Sequence, residues 1–412
     1  MNRVMHRTLA GAAALVVSAA LAACGASAGS SGSSGSSPTT LKVWIMGSSG
    51  QNFTKLTASF TKATGIGVAV QEIPWADVNT KLTTAVASGN GPDVMQVGLS
   101  LLPTFESSGA LMNLSPHLAG HPGLASGNFL DAVSADKLNP PGKVLSIPWI
   151  SDVRVLFYRT DIFQQAGIQG PPTTWAQLHA DAVKLAARGS GKYGYYIPQW
   201  DAPLPIEFTW QAGGNVTDPA GKVNFDTPAF RQAIGFYASF YRDKLVPTAA
   251  DFDQTTGFIS GSAPMLISGP YLAQGLAGIS GKWAAAPLPA NSTNTSLFAG
   301  STLGIWHTST KVAAALKLFD FLSQPSTQVA WYKLDGDLPS SKTALSDPSL
   351  TSDPNFQVYA TQLQNSKLLP LVPAWDAISN DMLTAVNKIA LAGANQTATL
   401  DQLNQTVAGL QK

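Results

Sequence analysis

The pair of residues best suited to covalent catalysis is a serine with a lysine three positions later. Ser59-Phe60-Thr61-Lys62 fits the S-x-x-K pattern in which an exported acyl-transferring enzyme uses the serine as nucleophile. On a helix the two side chains would share a face. The companion motifs Ser-Asp-Asn and Lys-Thr-Gly do not occur in the sequence. The tetrapeptide alone therefore does not indicate such an enzyme.

Metal and nucleotide chemistry also lack their motifs. The sequence has one cysteine and no H-E-x-x-H pattern, so neither ligand pair of a common zinc site is present. The glycine-containing stretch at 278–282 lacks the spacing of a phosphate-binding loop, and no Ser or Thr follows its lysine. We expect no cofactor and no metal. The histidines are His6, His117, His121, His179 and His307.

Several carboxylates lie close to aromatic residues in the sequence, which is compatible with two functions. Asp152, Asp201, Glu207 and Asp376 could supply a carboxylate pair for glycoside hydrolysis. The same residue types also bind sugar hydroxyls without any reaction, while aromatic rings cover the apolar faces of the sugar. A secreted glycoside-acting enzyme is therefore an alternative to a sugar-binding protein.

Cys24 is the residue whose position suggests a covalent modification. Arg3 and Arg7 precede an apolar run that ends in Leu21-Ala22-Ala23, as in a secretory signal. The run of roughly 15 residues is shorter than the ~20 that a membrane-spanning helix needs. The sequence around Cys24 resembles a bacterial lipobox, in which the cysteine receives a diacylglyceryl group and becomes the mature N-terminus. We expect a signal peptide at 1–23 and a lipidated Cys24; ordinary secretion with an unmodified cysteine is the alternative.

The residues after Cys24 have the composition of a flexible linker. Positions 24–40 are dominated by Gly, Ser, Ala and Thr, which cannot bury enough apolar surface to fold. A chain of about 16 such residues has an end-to-end distance on the order of 20–25 Å. Because two acyl chains give stable membrane attachment, we expect an extracytoplasmic protein that is anchored to the cell membrane by lipid.

Composition limits the partners and the domain count. Charged residues make up 12% of the chain and hydrophobic residues 45%. The formal net charge is +1, and removal of Arg3 and Arg7 with the signal changes 25 basic against 24 acidic residues to 23 against 24, or −1. This balance does not attract nucleic acid. About 370 residues follow the linker, which favours two lobes over a single core.

The first part of the folded body alternates strands and helices. Residues 41–46, 66–73 and 93–98 are typical of buried strands, and the two segments between them have apolar residues at helical spacing. Gly65 stands where the first helix should end. This order predicts a mostly parallel sheet, whose ligands bind beyond the carboxyl ends of the strands. Ser48, Ser49 and Gln96 are candidate ligand-binding residues on this ground.

The order of nine short motifs resembles one family along the whole mature chain. The motifs are LKVWIMGSSG, FTKATGIGVAVQEIPW, SGNGPDVMQVG, FESSGALMNLSPHL, GKVLSIPWISDVRVLFYRTDIFQQAGI, PPTTWAQL, MLISGPY, GDLPSSKTAL and VPAWDAIS. The family is that of the bacterial extracellular solute-binding proteins, family 1, which are sugar-binding lipoproteins of ATP-binding-cassette importers.

The resemblance implies an α/β fold of the two-lobed periplasmic-binding-protein type, each lobe a mostly parallel sheet flanked by helices. By analogy, 41–150 with 301–345 form the N-terminal lobe, and 151–300 with 346–412 form the C-terminal lobe. A neutral sugar would be enclosed between them by hinge closure. The protein would be a monomer that delivers the sugar to permease subunits with a separate ATPase; a lipoprotein that presents its ligand to a membrane sensor is a further alternative.

The resemblance also implies ligand contacts. Asp152 matches a family acid that binds sugar hydroxyls, although it could be a surface residue beside Arg154. Tyr271 matches a family aromatic that stacks on a ring, with a core tyrosine as the alternative. Gly300 and Ser301 match a turn at the cleft, although the glycine could serve only the backbone conformation. Trp375 matches a residue that closes the cleft, with a core tryptophan as the alternative. Trp200 and Asp201 match on a loose alignment.

Other tryptophans have a packing role in this reading. Trp175 begins a helix after a threonine cap, and six others are assigned to the core: Trp44, Trp149, Trp210, Trp283, Trp306 and Trp331. The sequence also departs from the maltose-binding members of the family. Ser48-Ser49 stand where those members have an aspartate and a lysine. The tryptophan and the charged pair that they have after the third strand are missing here. We therefore expect an uncharged mono- to oligosaccharide other than maltose.

Overall fold

The structure, a computed structural model, describes residues 39–372 and 374–411. The predicted signal peptide at 1–23, Cys24 and the linker up to residue 38 lie outside the described residues. Within the described part, the strands are β1 (Thr40–Met46), β2 (Gly67–Ile73), β3 (Val94–Gly98), β4 (Ile147–Val153), β5 (Val155–Tyr158), β6 (Met265–Ser268), β7 (Ala284–Ala286), β8 (Ser296–Ile305), β9 (Leu338–Pro339) and β10 (Ser366–Lys367).

Helices connect these strands and cover the sheets. They are α1 (Gly50–Thr64), α2 (Val78–Ser88), α3 (Leu102–Ser107), α4 (Ala135–Leu138), α5 (Thr160–Gln165), α6 (Trp175–Ala186), α7 (Pro203–Gln211), α8 (Pro228–Arg242), α9 (Gln254–Ile259), α10 (Val312–Ser323), α11 (Pro325–Asp335), α12 (Lys342–Leu345), α13 (Pro348–Thr351), α14 (Pro354–Leu363), α15 (Trp375–Ala392) and α16 (Gln396–Leu410). Short 3-10 segments include Trp75–Asp77, Leu99–Leu101 and Pro270–Ile279.

The predicted strand and helix alternation of the first 60 folded residues is confirmed. β1, β2 and β3 begin within one residue of the predicted strands, and α1 and α2 lie between them. Gly65 ends α1 in the left-handed region with φ 71°, and its N–H donates to the carbonyl of Thr61. Because only glycine adopts this conformation without strain, its position marks the helix end in the sequence.

Seven strands form the larger sheet, in which β1 lies between the edge strand β2 and β3. The order is β2-β1-β3-β8-β4-β9, and β10 pairs with β8. β1 runs parallel to both β2 and β3, with a seven-residue register against β2 from Thr40↔Gly67 to Met46↔Ile73. The carboxyl ends of β1 and β3 therefore meet at one edge of this sheet.

The rest of the pairing differs from the mostly parallel sheets that were expected. β8 runs antiparallel to β3 and to β4, and the second sheet, ordered β6-β5-β7, is entirely antiparallel. The reason lies in the route of the chain. β4 continues into β5 after one residue, so β5 carries the chain away from the first sheet. β7 precedes β8, which returns to that sheet. Because β5 leads out and β7 leads back, these two neighbouring strands run in opposite directions.

Two clusters of buried apolar side chains accompany the sheets. The first lies against the seven-stranded sheet and reaches the second sheet through Phe157. The second is built from α6, α7, α8, α15 and α16. Five of the six tryptophans assigned to the core are buried, and Trp283 is half-buried against Phe157, as predicted. Trp175 also packs as predicted: Thr174 caps its helix, and its indole stacks on Phe236 with ring centroids 4.2 Å apart.

Candidate functional site

An exposed tryptophan lies over the carboxyl ends of β1 and β3. Trp75 is 51% exposed. If a Cβ atom were added to Gly47 in ideal geometry, it would lie 2.9 Å from Trp75 Nε1. A Cβ added to Gly98 in the same way would lie 2.8 Å from Trp75 Cζ3. Any side chain at either glycine would thus displace the indole. The two glycines support an aromatic surface at the sheet edge where parallel strands place their ligands.

The serines that follow β1 have different surroundings. Ser48 is exposed, and Ser49 is partly buried. The Ser49 hydroxyl donates to Asp335 Oδ2 at 2.8 Å, and the side chain of Asn52 also donates to Asp335, at 2.8 Å. These contacts join the start of α1 to the end of α11. The structure therefore places Asp335 next to the predicted serine site.

Gln96 and Ser301, two of the predicted ligand contacts, are buried and paired with each other. Gln96 Nε2 donates to Ser301 Oγ at 2.8 Å, and Gln96 Oε1 accepts from the Met46 N–H at 3.1 Å. These bonds connect β1, β3 and β8. The two residues hold the strands together directly beneath Trp75, and they do not present their polar groups at the surface.

Gly300 lies in the middle of a strand, which corrects the predicted turn. It belongs to β8 and stands opposite Ser151 of β4. Its φ is +142°, and an ideal Cβ would lie 2.1 Å from the carbonyl oxygen of Ile150. Close approach of two backbones thus requires glycine here. The turn was expected from the family resemblance, whereas the glycine itself also fits a place where strands approach closely.

Asp152 and Tyr271 lie side by side over a third glycine. An ideal Cβ on Gly269 would lie 2.5 Å from Tyr271 Cε1 and 2.8 Å from Asp152 Oδ2. Tyr271 is 42% exposed, and its hydroxyl accepts from Ser268 Oγ at 3.2 Å. Here too a glycine supports an exposed aromatic ring, this time next to a carboxylate.

The protonation of Asp152 is set chiefly by its burial. Burial raises the pKa of this carboxyl to about 7, against the opposing effects of the Val153 N–H and the Arg154 charge. The Val153 N–H donates to Asp152 Oδ1 at 2.8 Å. A carboxyl that titrates near neutrality can accept or donate hydrogen bonds to hydroxyl groups.

Two further carboxyls near Asp152 were missed by the sequence interpretation. Asp337 has its pKa raised well above the usual range by burial and by the charges of Asp152 and Asp335. Trp331 Nε1 donates to Asp337 Oδ2 at 3.2 Å. Gly336, between the two aspartates, lies against Tyr271, since an ideal Cβ there would be 3.2 Å from Tyr271 Cα. The segment 335–337 thus borders the same site as Tyr271.

Trp200 and Asp201 have opposite degrees of exposure. Trp200 is 62% exposed, whereas Asp201 is 1% exposed and accepts from Arg154 Nη1 at 2.6 Å through Oδ2. Arg154 Nη1 also contacts Glu207 Oε2 at 3.3 Å. Asp152 is only partly exposed, which differs from the alternative of an ordinary surface aspartate, and the neighbouring Arg154 is paired with Asp201 and Glu207.

Trp375 is a core residue in this structure. It is 3% exposed and belongs to the second apolar cluster at the start of α15. The next residue, Asp376, accepts a hydrogen bond from Asn79 of α2. The contact between α15 and α2 is thus made by Asp376, whereas the indole of Trp375 packs in the second apolar cluster.

Together, the site offers aromatic faces and carboxylates and few cations. Trp75 and Tyr271 are its exposed members, Asp152 is partly buried, and the Arg154 cation that acts on Asp152 is already paired. Across the described ranges, no cluster of three His, Cys, Asp or Glu side chains could hold a metal ion. Within the same ranges, no helix combines the length and hydropathy needed to cross a bilayer. Such a site suits a polyhydroxylated, uncharged molecule.

Trp75, Asp335 and Asp337 could have been found only in part. Trp75 follows β2 in the sequence EIPW, so its place just after a strand end was a usable signal. Nothing in LDGDLP shows that this segment packs beside Tyr271, since more than 60 residues separate the two in the sequence.

The sequence is similar to those of known binding proteins. The sequence profile of the bacterial extracellular solute-binding proteins matches residues 46–329. The diacetylchitobiose-binding protein DasA of Streptomyces coelicolor is 25% identical, and the match covers 85% of each chain. A binding protein of Brucella abortus is 24% identical over 85% of this chain and 88% of its own length.

Solved structures share the fold. The sugar-binding protein MalE of Xanthomonas citri superimposes with a TM-score of 0.80 at 29% identity, covering 90% of this chain and 97% of MalE. A solute-binding protein of Thermotoga lettingae, solved with α-D-tagatose, has a TM-score of 0.83 at 23% identity, covering 90% and 99%. The described chain thus has the two-lobed fold of the periplasmic binding proteins.

Proposed function

Because the chain belongs to the bacterial extracellular solute-binding protein family, we propose that it captures an uncharged mono- to oligosaccharide for an ATP-binding-cassette importer. The sugar lies between two lobes that close on it, and membrane permease subunits receive it. ATP hydrolysis belongs to a separate subunit. The family is one of substrate-binding proteins, and the chain binds its ligand without converting it.

The arrangement of Trp75, Tyr271 and Asp152 carries this proposal. Each ring lies against glycine and stays exposed, and Asp152 Oδ2 adjoins Tyr271. A sugar ring presents C–H groups to an aromatic face and hydroxyls to a carboxylate. DasA binds diacetylchitobiose, and the Thermotoga lettingae protein was solved with tagatose, which supports a sugar as the ligand here.

Two of the three lobe boundaries that we propose lie next to each other in the seven-stranded sheet. The boundary at 150/151 falls in β4 and the boundary at 300/301 falls in β8, and Ser151 pairs with Gly300. The other boundary, at 345/346, lies at the end of α12. A pair of antiparallel strands that crosses between lobes is a suitable hinge, because it can bend while its hydrogen bonds persist.

The sugar-binding proposal can be tested with purified protein and a panel of sugars. We expect one sugar class to raise the melting temperature and to bind in calorimetry. Trp75→Ala should weaken that binding by about 1–2 kcal/mol, or about 5- to 30-fold, through loss of the ring contact. Leu391→Ala, which alters an exposed apolar residue on α15, is the control. Equal affinity of Trp75→Ala and the unaltered protein would remove Trp75 from the site.

Glycoside hydrolysis is a second candidate, favoured by one observation. Burial raises the pKa of Asp152 to about 7, and the Asp152 charge helps to raise the pKa of Asp337, as in carboxyl pairs that divide acid and base roles. Prolonged incubation with oligosaccharides should give no new reducing ends if the protein only binds. Cleavage that disappears in Asp152→Asn would replace the binding proposal with hydrolysis.

We also propose that a diacylglyceryl group on Cys24 anchors a monomer to the outer side of the cell membrane, with residues 25–38 as linker. Cys24→Ala should abolish metabolic labelling with radioactive fatty acid, because no other residue of the chain carries a thiol. Sugar affinity of the same variant should be unchanged. Labelling that persists in Cys24→Ala would disprove the anchor.

A further inference from the structure

Trp200 is exposed, yet the residues on both sides of it are fixed. Gln199 Nε2 donates to the carbonyl of Thr248 at 2.8 Å, and the Gln199 carbonyl accepts from Asn387 Nδ2 at 2.8 Å. Asp201, on the other side, is 1% exposed and accepts from Arg154 Nη1 at 2.6 Å. The backbone beneath Trp200 is therefore held at three points while its indole stays in solvent.

The cation that holds Asp201 belongs to the connection between the two sheets. Arg154 is the single residue between β4 and β5. Its N–H donates to Ser296 Oγ at 3.1 Å, and Ser296 Oγ donates to the Arg154 carbonyl at 2.7 Å. Glu207 completes the network, because its Oε1 accepts from the Leu297 N–H at 2.8 Å. Arg154 thus connects β8, α7 and the Trp200 segment.

Stability alone is a poor explanation for this network. Glu207 is fully buried and Asp201 nearly so, and one guanidinium serves both. Desolvation makes such buried ion pairs weak contributors to stability, often replaceable by apolar residues. Among the residues that the structure describes, Asp201 Oδ1 is buried with no hydrogen-bond partner, so the network is also incompletely satisfied. A positional role accounts better for the retention of three buried charges.

The neighbours of Arg154 indicate what is positioned. Asp152 lies two residues earlier, so on extended backbone its side chain points to the same side as that of Arg154. The Arg154 charge acts on Asp152 and on Tyr271. One residue therefore connects the carboxylate and the tyrosine of the proposed sugar site with the segment that bears Trp200.

We propose that Arg154 is a positioning residue for sugar binding: through Asp201 it fixes Trp200 relative to Asp152 and Tyr271, and Trp200 then contacts the sugar. The inference rests on the proposed function. It also changes the predicted role of Asp201, which acts through Arg154 and Trp200 and does not touch the ligand.

A double-mutant cycle tests this role. Affinities for diacetylchitobiose, maltotriose and mannotriose are measured for Arg154→Met, Trp200→Ala and the double variant. Each single change should weaken binding of the recognised sugar about 10-fold, and the double variant should be no weaker than the singles, because the positioning effect of Arg154 is exerted through Trp200. Independent effects would instead multiply to about 100-fold and would overturn the proposal.

Control variants separate positioning from folding. Arg231 also pairs with two carboxylates, Asp226 and Asp401, but connects α8 to α16. Arg231→Met should leave sugar affinity unchanged. If Arg154→Met does not fold, Asp201→Asn replaces it in the cycle, and Arg154→Lys should restore part of the affinity. Unaltered affinity of Trp200→Ala would overturn the inference alone, whereas failure of all sugars to bind would overturn the proposed function with it.

Discussion

At the scale of single residues, the proposed site uses glycine to place aromatic rings and burial to tune a carboxyl. Side chains of other residues occupy the space that a Cβ atom would need at three glycines: Gly47, Gly98 and Gly269. Burial raises the pKa of Asp152 to about 7, so small changes in its surroundings shift its charge near neutral pH. Sugar hydroxyls that donate to this carboxyl would favour its ionised form.

Asp152 should therefore make sugar binding depend on pH. If the bound sugar lowers the pKa of Asp152 below about 7, binding releases a proton at lower pH, and affinity rises between pH 5.5 and pH 8. We expect an increase of about 10-fold, or about 1.4 kcal/mol, by calorimetry across this window. Asp152→Asn, which cannot ionise, should flatten the profile. A profile that is equally steep in Asp152→Asn would assign the titration to another group.

Residue types and motifs predicted part of this site. Asp152 and Tyr271 were predicted, and the structure places them side by side, but it also buries Gln96 and Ser301 against each other. That pairing joins residues 205 positions apart, and no local pattern reveals it. The burial of Trp375 was predictable in principle: Trp375, Ile378 and Met382 share one face of α15, the spacing of a core-facing helix.

At the scale of secondary structure, the pairing of β4 with β8 is the element on which the proposed hinge depends. The local order of β1 to β3 and their helices followed from periodicity and from glycine at helix ends. The antiparallel strands did not, because a strand's direction in a sheet depends on where distant segments return. β8 reaches the sheet after more than 120 residues beyond β5.

Gly300→Ala should disrupt this element. The added Cβ would lie 2.1 Å from the Ile150 carbonyl oxygen at a φ of +142°, so β8 or β4 must shift. We expect destabilisation of about 2–4 kcal/mol in urea unfolding, at the upper end of single substitutions. Gly278→Ala is the matched control, because nothing lies within 4 Å of an ideal Cβ there. Equal unfolding midpoints for the two variants would show that the strands tolerate the side chain.

At the scale of the whole molecule, the chain passes between the two sheets, each with its apolar cluster, through the β4–β5 and β7–β8 connections. Such a connection permits rotation about the crossing strands with little loss of buried surface. The segment 335–337 against Tyr271, and Asn79 of α2 bonded to Asp376 of α15, are contacts that rotation of this kind would alter.

Sugar should make the protein more compact in solution. We expect the radius of gyration from small-angle X-ray scattering to decrease on saturation with the recognised sugar, since closure brings the lobes together. Trp75→Ala, measured at the same sugar concentration below saturation, should show a smaller change. Identical scattering with and without saturating sugar would contradict closure.

The position of β1 between two parallel neighbours also has a mechanical consequence. Any chain that precedes Thr39 enters the fold at the start of this strand, where Lys311 Nζ holds the Thr40 carbonyl at 2.8 Å. Tension on that chain pulls β1 along its own axis, between β2 and β3. The load is then shared by the hydrogen bonds on both sides, which must shear together and cannot open one at a time.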